Sequence, residues 1–117
     1  MDVTTETFER DVIERSRELP VVVDFWAAWC GPCRMLGPAI EQEVAKRDGK
    51  LELVKLDVDA EGSVAARYGI QSIPTVAVFR DGEPLTGFVG AYPAEAIGRF
   101  LDEVLAKEQE PAATPAG

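Results

Sequence analysis

Histidine is absent from this chain of 117 residues, and cysteine occurs only twice. The first absence removes the side chain that most often handles protons near neutral pH, which is also the commonest metal ligand. Zinc needs four ligands from Cys, His or carboxylate, so one cysteine pair without histidine argues against a metal site. Two cysteines cannot build a disulfide framework, and a single Cys-x-x-Cys pair points to redox chemistry or metal. Basic residues are scarce, 12 against 21 acidic, for a net charge of −9. That surface repels phosphate backbones and anionic bilayers, so neither nucleic-acid nor membrane partners are expected. Long apolar runs are also lacking. The most apolar stretch, Pro20 to Cys30, is about half a membrane span in length and carries Asp24. The opening Met1-Asp2-Val3-Thr4-Thr5-Glu6 is acidic where a secretory signal needs a basic region, so a cytoplasmic location is expected.

What is present suits one domain with its own core. Hydrophobic residues make up 46% of the chain, enough without disulfide staples. Amphipathic spacing of Phe8, Val12 and Ile13 predicts a helix over Thr7 to Glu18, stopped by Pro20. Val21 to Ala27 is β-branched and aromatic without alternation, as in a strand covered on both faces. Cys30 to Lys46 reads as a helix with Pro32 in its first turn and Pro38 as an internal kink. Leu51 to Val58 reads as a second strand, followed by a short helix near Ser63 to Tyr68. Thr75 to Phe79 and Leu85 to Val89 flank Asp81-Gly82, a two-residue hairpin signal, and Pro84 assigns the last strand to a sheet edge. Ile97, Phe100, Leu101, Val104 and Leu105 form the stripe of a closing helix. Strands separated by helices run parallel, and the hairpin adds antiparallel edges. An α/β domain over residues 1–108 follows, with a mixed sheet between helices. Residues 109–117 are rich in Pro and Ala and lack large apolar side chains, which predicts a disordered tail or linker.

The cysteine pair falls where a buried strand hands over to a helix. Backbone N–H groups there have no intrahelical partner, and the macrodipole adds positive charge. A Cys30 thiolate is stabilised in that field, so its pKa is expected to fall toward neutrality, where disulfide attack is fastest. Cys33, one turn on, lies on the same helix face and can resolve a mixed disulfide. Asp24 interrupts an apolar strand, where an ionised carboxylate loses water and its pKa rises. Read alone, a strand Asp is more often a satisfied cap; beside this pair it is the best-placed base for Cys33. Lys55, among Leu51, Leu53, Val54 and Leu56, either pairs with Asp24 or snorkels to solvent. The isomer of the Ile73–Pro74 bond is not set by periodicity.

Together these residues resemble the thioredoxin family. The segment Val23-Asp24-Phe25-Trp26-Ala27-Ala28-Trp29-Cys30-Gly31-Pro32-Cys33 is similar to its active-site segment nearly letter for letter. Pro38 and Lys55 stand where the family has a kinking proline and a lysine near a buried aspartate. Tyr68-Gly69-Ile70-Gln71-Ser72-Ile73-Pro74-Thr75 resembles the segment carrying its cis-proline, and Phe79 to Glu83 and Val89-Gly90-Ala91 continue in register. The likeness covers about Phe8 to Leu105. It implies about five strands in a mixed sheet between about four helices, with Cys30 as nucleophile, Cys33 as resolving thiol and Asp24 as proton carrier. It implies a pKa-modulating Lys55, and a docking surface of Trp29, Gly31, Pro32, Ile73, cis Pro74 and Gly90. It further implies a redox-active Cys30–Cys33 disulfide, no bound cofactor, disulfide-containing protein partners, and a monomer re-reduced with NADPH by a flavoprotein thioredoxin reductase. Proline between the cysteines resembles the reducing branch. The first strand is squeezed into Asp2 to Thr4, and Gln71 and Ser72 depart from the family's usual residues. The Pro/Ala tail resembles the exit from modules fused to helical repeats, so the alternative function is a client-binding module of a larger co-chaperone with the same redox pair.

Overall fold

A computed structural model describes residues 1–108; the segment 109–117, where a tail or linker was expected, lies outside the described residues. Four strands form one sheet: β1 (Val21–Trp26), β2 (Glu52–Asp57), β3 (Thr75–Arg80) and β4 (Glu83–Val89), in the order β2-β1-β3-β4. β1 runs parallel to β2, reached through helix α1 (Gly31–Ala45), and antiparallel to β3. α2 (Gly62–Arg67) links β2 to β3, and α3 (Ala94–Glu108) closes the described chain. No helix among the described residues is long and apolar enough to cross a membrane.

The fifth strand implied by the family likeness is reduced to a single parallel bridge between Asp2 and Lys55. Val3 N–H donates to the Lys55 carbonyl at 2.9 Å and Lys55 N–H to that of Met1 at 2.8 Å. A turn from Thr4 to Thr7 then ends the extension, with Thr7 N–H donating to the Thr4 carbonyl at 3.1 Å.

β1 is buried on both faces, as its lack of alternation predicted. Val21, Val23 and Phe25 enter a core with Phe8, Val12, Val54, Leu56, Val64 and Phe79, under the N-terminal helical segment and α2. Val22 enters the other core with Leu36 and Ile40 of α1 and Ile97, Leu101 and Val104 of α3. Side chains alternate along a strand, so Asp24 shares the face of Val22 and lies beneath α1. Each large side chain buried this way contributes about 1.5–3 kcal/mol.

The N-terminal segment departs from a regular α-helix. It is wound as a π-helix over Glu9–Glu14 and tightens to a 3-10 turn at Arg15–Arg17. The change of winding carries Ser16 inside, fully buried. Its hydroxyl donates to the Ile13 carbonyl at 2.7 Å and accepts from Gly82 N–H at 2.8 Å. Its carbonyl accepts from Asp81 N–H and from Arg80 Nη1, both at 2.8 Å. The segment is thereby tied to the β3–β4 hairpin, whose Asp81 and Gly82 have φ of 55° and 86°. Those paired positive values are what a two-residue turn matched to strand twist requires. Pro84 sits on β4, the sheet edge, beside a register shift at Val78 and Phe79.

Candidate active site

The junction between β1 and α1 sets the cysteines. Cys30 is the helix N-cap with an extended backbone (φ −87°, ψ 107°), and its Sγ accepts the Cys33 N–H at 3.2 Å. A sulfur therefore occupies the place that a capping oxygen usually takes among the unpaired donors of a helix start. Pro32 in the first turn has no N–H to leave unpaired. α1 continues through Pro38, which leaves the Arg34 carbonyl without its usual helical donor. Cys30 and Cys33 are joined in a disulfide with Cα atoms 5.3 Å apart. They are 3% and 6% exposed and pack with Ala27, against which Trp26, Val58 and Ile73 also lie.

The surroundings are apolar and open on one side. Trp29 is 68% exposed, yet its indole N–H donates to Asp59 Oδ2 at 2.8 Å, which holds the ring in place. Arg34 Nη2 donates to the Ala28 carbonyl at 3.0 Å and pins the loop from behind. Gly31 and Pro32 are exposed and Ile73 is half-buried. The Ile73–Pro74 peptide is cis, and Gly90 N–H donates to the Pro74 carbonyl at 2.8 Å. Pro74 itself is buried, so it underlies the surface that its neighbours line. Gly90 has φ of 109°, a conformation that side chains disfavour, and this lets its N–H turn back toward Pro74.

Asp24 is 2% exposed, and its Oδ1 has no hydrogen-bond partner among the described residues. Burial pushes its carboxyl up to about 6, Lys55 opposes that rise, and Glu41 adds to it. Lys55 stands directly beside Asp24 in the β1–β2 register. Its ammonium nevertheless forms an ion pair with Glu41 of α1. The Lys55 charge lowers the Asp24 carboxyl while its head group contacts Glu41. A cleft lined by Trp26, Ala27, Cys33, Gly37, Pro38 and Lys55 runs from Cys33 to the lysine.

Cys30, Cys33, Trp29, Gly31, Pro32 and Ile73 thus meet at one end of the sheet, with Pro74 and Gly90 joined next to Ile73. Lys55 lines the cleft, and Asp24 is buried beside it in the strand register. Glu41 and Asp59 went unremarked in the sequence. Each is one acid among many in an acidic chain, and only the fold brings them to Lys55 and Trp29.

The thioredoxin family model matches residues 1–103. "Thioredoxin 1" of Synechococcus elongatus is 44% identical over 103 residues, covering 88% of this chain and 94% of that protein. "Thioredoxin" of Streptomyces clavuligerus is 47% identical over 98 residues, covering 84% and 89%. "Probable thioredoxin-2" of Caenorhabditis elegans is 45% identical over 103 residues, covering 88% and 70%.

Proposed function

This chain belongs to the thioredoxin family, and from that premise we propose how its residues divide the work of dithiol–disulfide exchange. The protein is a protein-disulfide oxidoreductase acting through the Cys30–Cys33 pair. The observation that carries the assignment is the sulfur of Cys30 at the helix cap, accepting the Cys33 N–H.

Reduction starts from the dithiol. The Cys30 thiolate attacks one sulfur of a client disulfide, forming a mixed disulfide and releasing the other client sulfur as thiolate. Donors at the helix start favour the ionised sulfur, an effect of which thioredoxins are a known example. Asp24, as carboxylate, takes the proton of the Cys33 thiol, directly or through a water. The Cys33 thiolate then attacks Cys30 Sγ, breaks the mixed bond, and expels the second client thiolate. The Cys30–Cys33 disulfide remains. Trp29, Gly31, Pro32, Ile73 and Gly90 seat an extended client segment, with Pro74 beneath them and Lys55 moderating Asp24.

Two electrons must be restored for each turnover. A flavoprotein thioredoxin reductase drawing on NADPH is the proposed donor, in the cytoplasm, with the chain acting as a monomer. Proline between the cysteines supports the reducing direction.

Insulin reduction by dithiothreitol, followed as turbidity, tests the assignment. The protein should accelerate it, Cys30→Ser should abolish the acceleration, and Cys33→Ser should accumulate a client-linked species on non-reducing electrophoresis. Acceleration that survives Cys30→Ser refutes Cys30 as the attacking nucleophile.

A further inference from the structure

We propose that Glu41 is a positioning residue for the exchange reaction: it draws the Lys55 ammonium along α1 and leaves the buried Asp24 carboxyl without a counter-ion. The inference rests on the reading of Asp24 as the proton carrier for Cys33.

Geometry supports it from three sides. Parallel register sets Asp24 and Lys55 beside each other on adjacent strands, where an ion pair is the default. The ammonium instead contacts Glu41, while Asp24 Oδ1 stays unpartnered. Gly37, one helical turn before Glu41, clears the route: a Cβ built there would stand 3.3 Å from Lys55 Nζ. A methyl at 37 would require the ammonium to give by a few tenths of an ångström.

The charged groups facing Asp24 are Lys55 from β2 and Glu41 from α1, and β3 presents apolar Val76. Burial is the largest influence on the carboxyl, Lys55 works against it, and Glu41 works with it. A carboxylate whose cation is held elsewhere binds a proton more tightly and is the stronger base toward a thiol. Glu41 therefore acts on the chemistry through Lys55, without touching either sulfur.

The disulfide form gives a clean measurement, because its cysteines do not titrate. The Asp24 carboxyl carbon is followed by NMR against pH in the parent protein, Glu41→Gln, Glu41→Ala and Gly37→Ala. Glu41 is exposed, so its variants are expected to fold. The midpoint should fall by about one unit in both Glu41 variants as Lys55 turns to Asp24. A smaller fall is expected in Gly37→Ala, where the ammonium must give by a few tenths of an ångström. In a Lys55→Met background most of the fall on removing Glu41 should vanish. An unchanged midpoint overturns the proposal. An equal fall with and without Lys55 also overturns it, since Glu41 would then act by its own field.

Resolution of a Cys30-linked client, timed by quenched flow between pH 6 and 7, is the second readout. It should slow several-fold in Glu41→Ala, and an unchanged rate removes Glu41 from the reaction. The underlying reading fails separately: Asp24→Asn with undiminished resolution discards Asp24 as proton carrier, whatever the Glu41 titrations show.

Discussion

A buried carboxyl oxygen without a partner is costly, and among the described residues Asp24 Oδ1 has none. Its proton is held more tightly folded than unfolded, so protonation favours folding. This contribution is complete below the ordinary value of 3.8 and is lost as pH rises through about 6. The rise is roughly two units, or about 3 kcal/mol once the group ionises. Asp24→Asn should therefore be more stable than the parent at pH 8, by up to about 3 kcal/mol, with the gain fading toward pH 4. Urea unfolding at both pH values measures the difference. The same variant should reduce insulin more slowly at neutral pH. A gain in stability coupled to a loss in turnover marks a residue retained for chemistry, and equal turnover would separate the two.

Elements are joined by a few buried polar and close-packed contacts. Ser16 ties the N-terminal segment to the hairpin through its hydroxyl. Ser16→Ala leaves the Gly82 N–H without that acceptor, and a loss of about 1–3 kcal/mol is expected in thermal or urea unfolding. Gly87 on β4 has no such side chain to lose. A Cβ there would lie 2.4 Å from the Val76 carbonyl oxygen on β3. Gly87→Ala must push the edge strand away, at a cost of about 1–3 kcal/mol, and faster amide exchange along β4 should accompany it. Both losses should leave the β1–α1 junction able to exchange disulfides at low temperature, because neither residue touches the cysteines. The hairpin was legible beforehand in Asp81-Gly82, since only a few residue types accept positive φ. Ser16 was not, because a lone serine in a helical pattern has no sequence mark of burial.

At the scale of the whole molecule, charge governs encounter. The chain carries a net charge of −9, and the end proposed for docking is lined by apolar residues. Cationic disulfide peptides should be drawn to it and anionic ones slowed. Their kcat/KM values should differ by about tenfold at low salt and converge as ionic strength rises past the screening range. Insensitivity to salt would show that docking is carried by apolar contact alone. The sheet sets the other whole-molecule property. β1, at the centre of the fold's two cores, carries Asp24 and leads directly into Cys30. Phe25→Ala should cost about 3–5 kcal/mol, since its fully buried ring leaves a cavity.

Local chemistry alone determined much of this protein. Proline, glycine and apolar period mark element ends within a few residues, and two cysteines a turn apart at a strand-to-helix handover specify the redox pair. Those signals are short-range: they depend on φ limits, missing donors and side-chain periodicity, all written into adjacent residues. Tertiary structure decided where charges meet. Asp24, Glu41 and Lys55 come from three elements, and nothing in their spacing says that Lys55 turns to the helix and not to its strand neighbour. Trp29 finds Asp59, and Gly90 finds Pro74, across intervening stretches of chain. Such pairings depend on register and helix placement, which only the packing of both cores against the sheet can set.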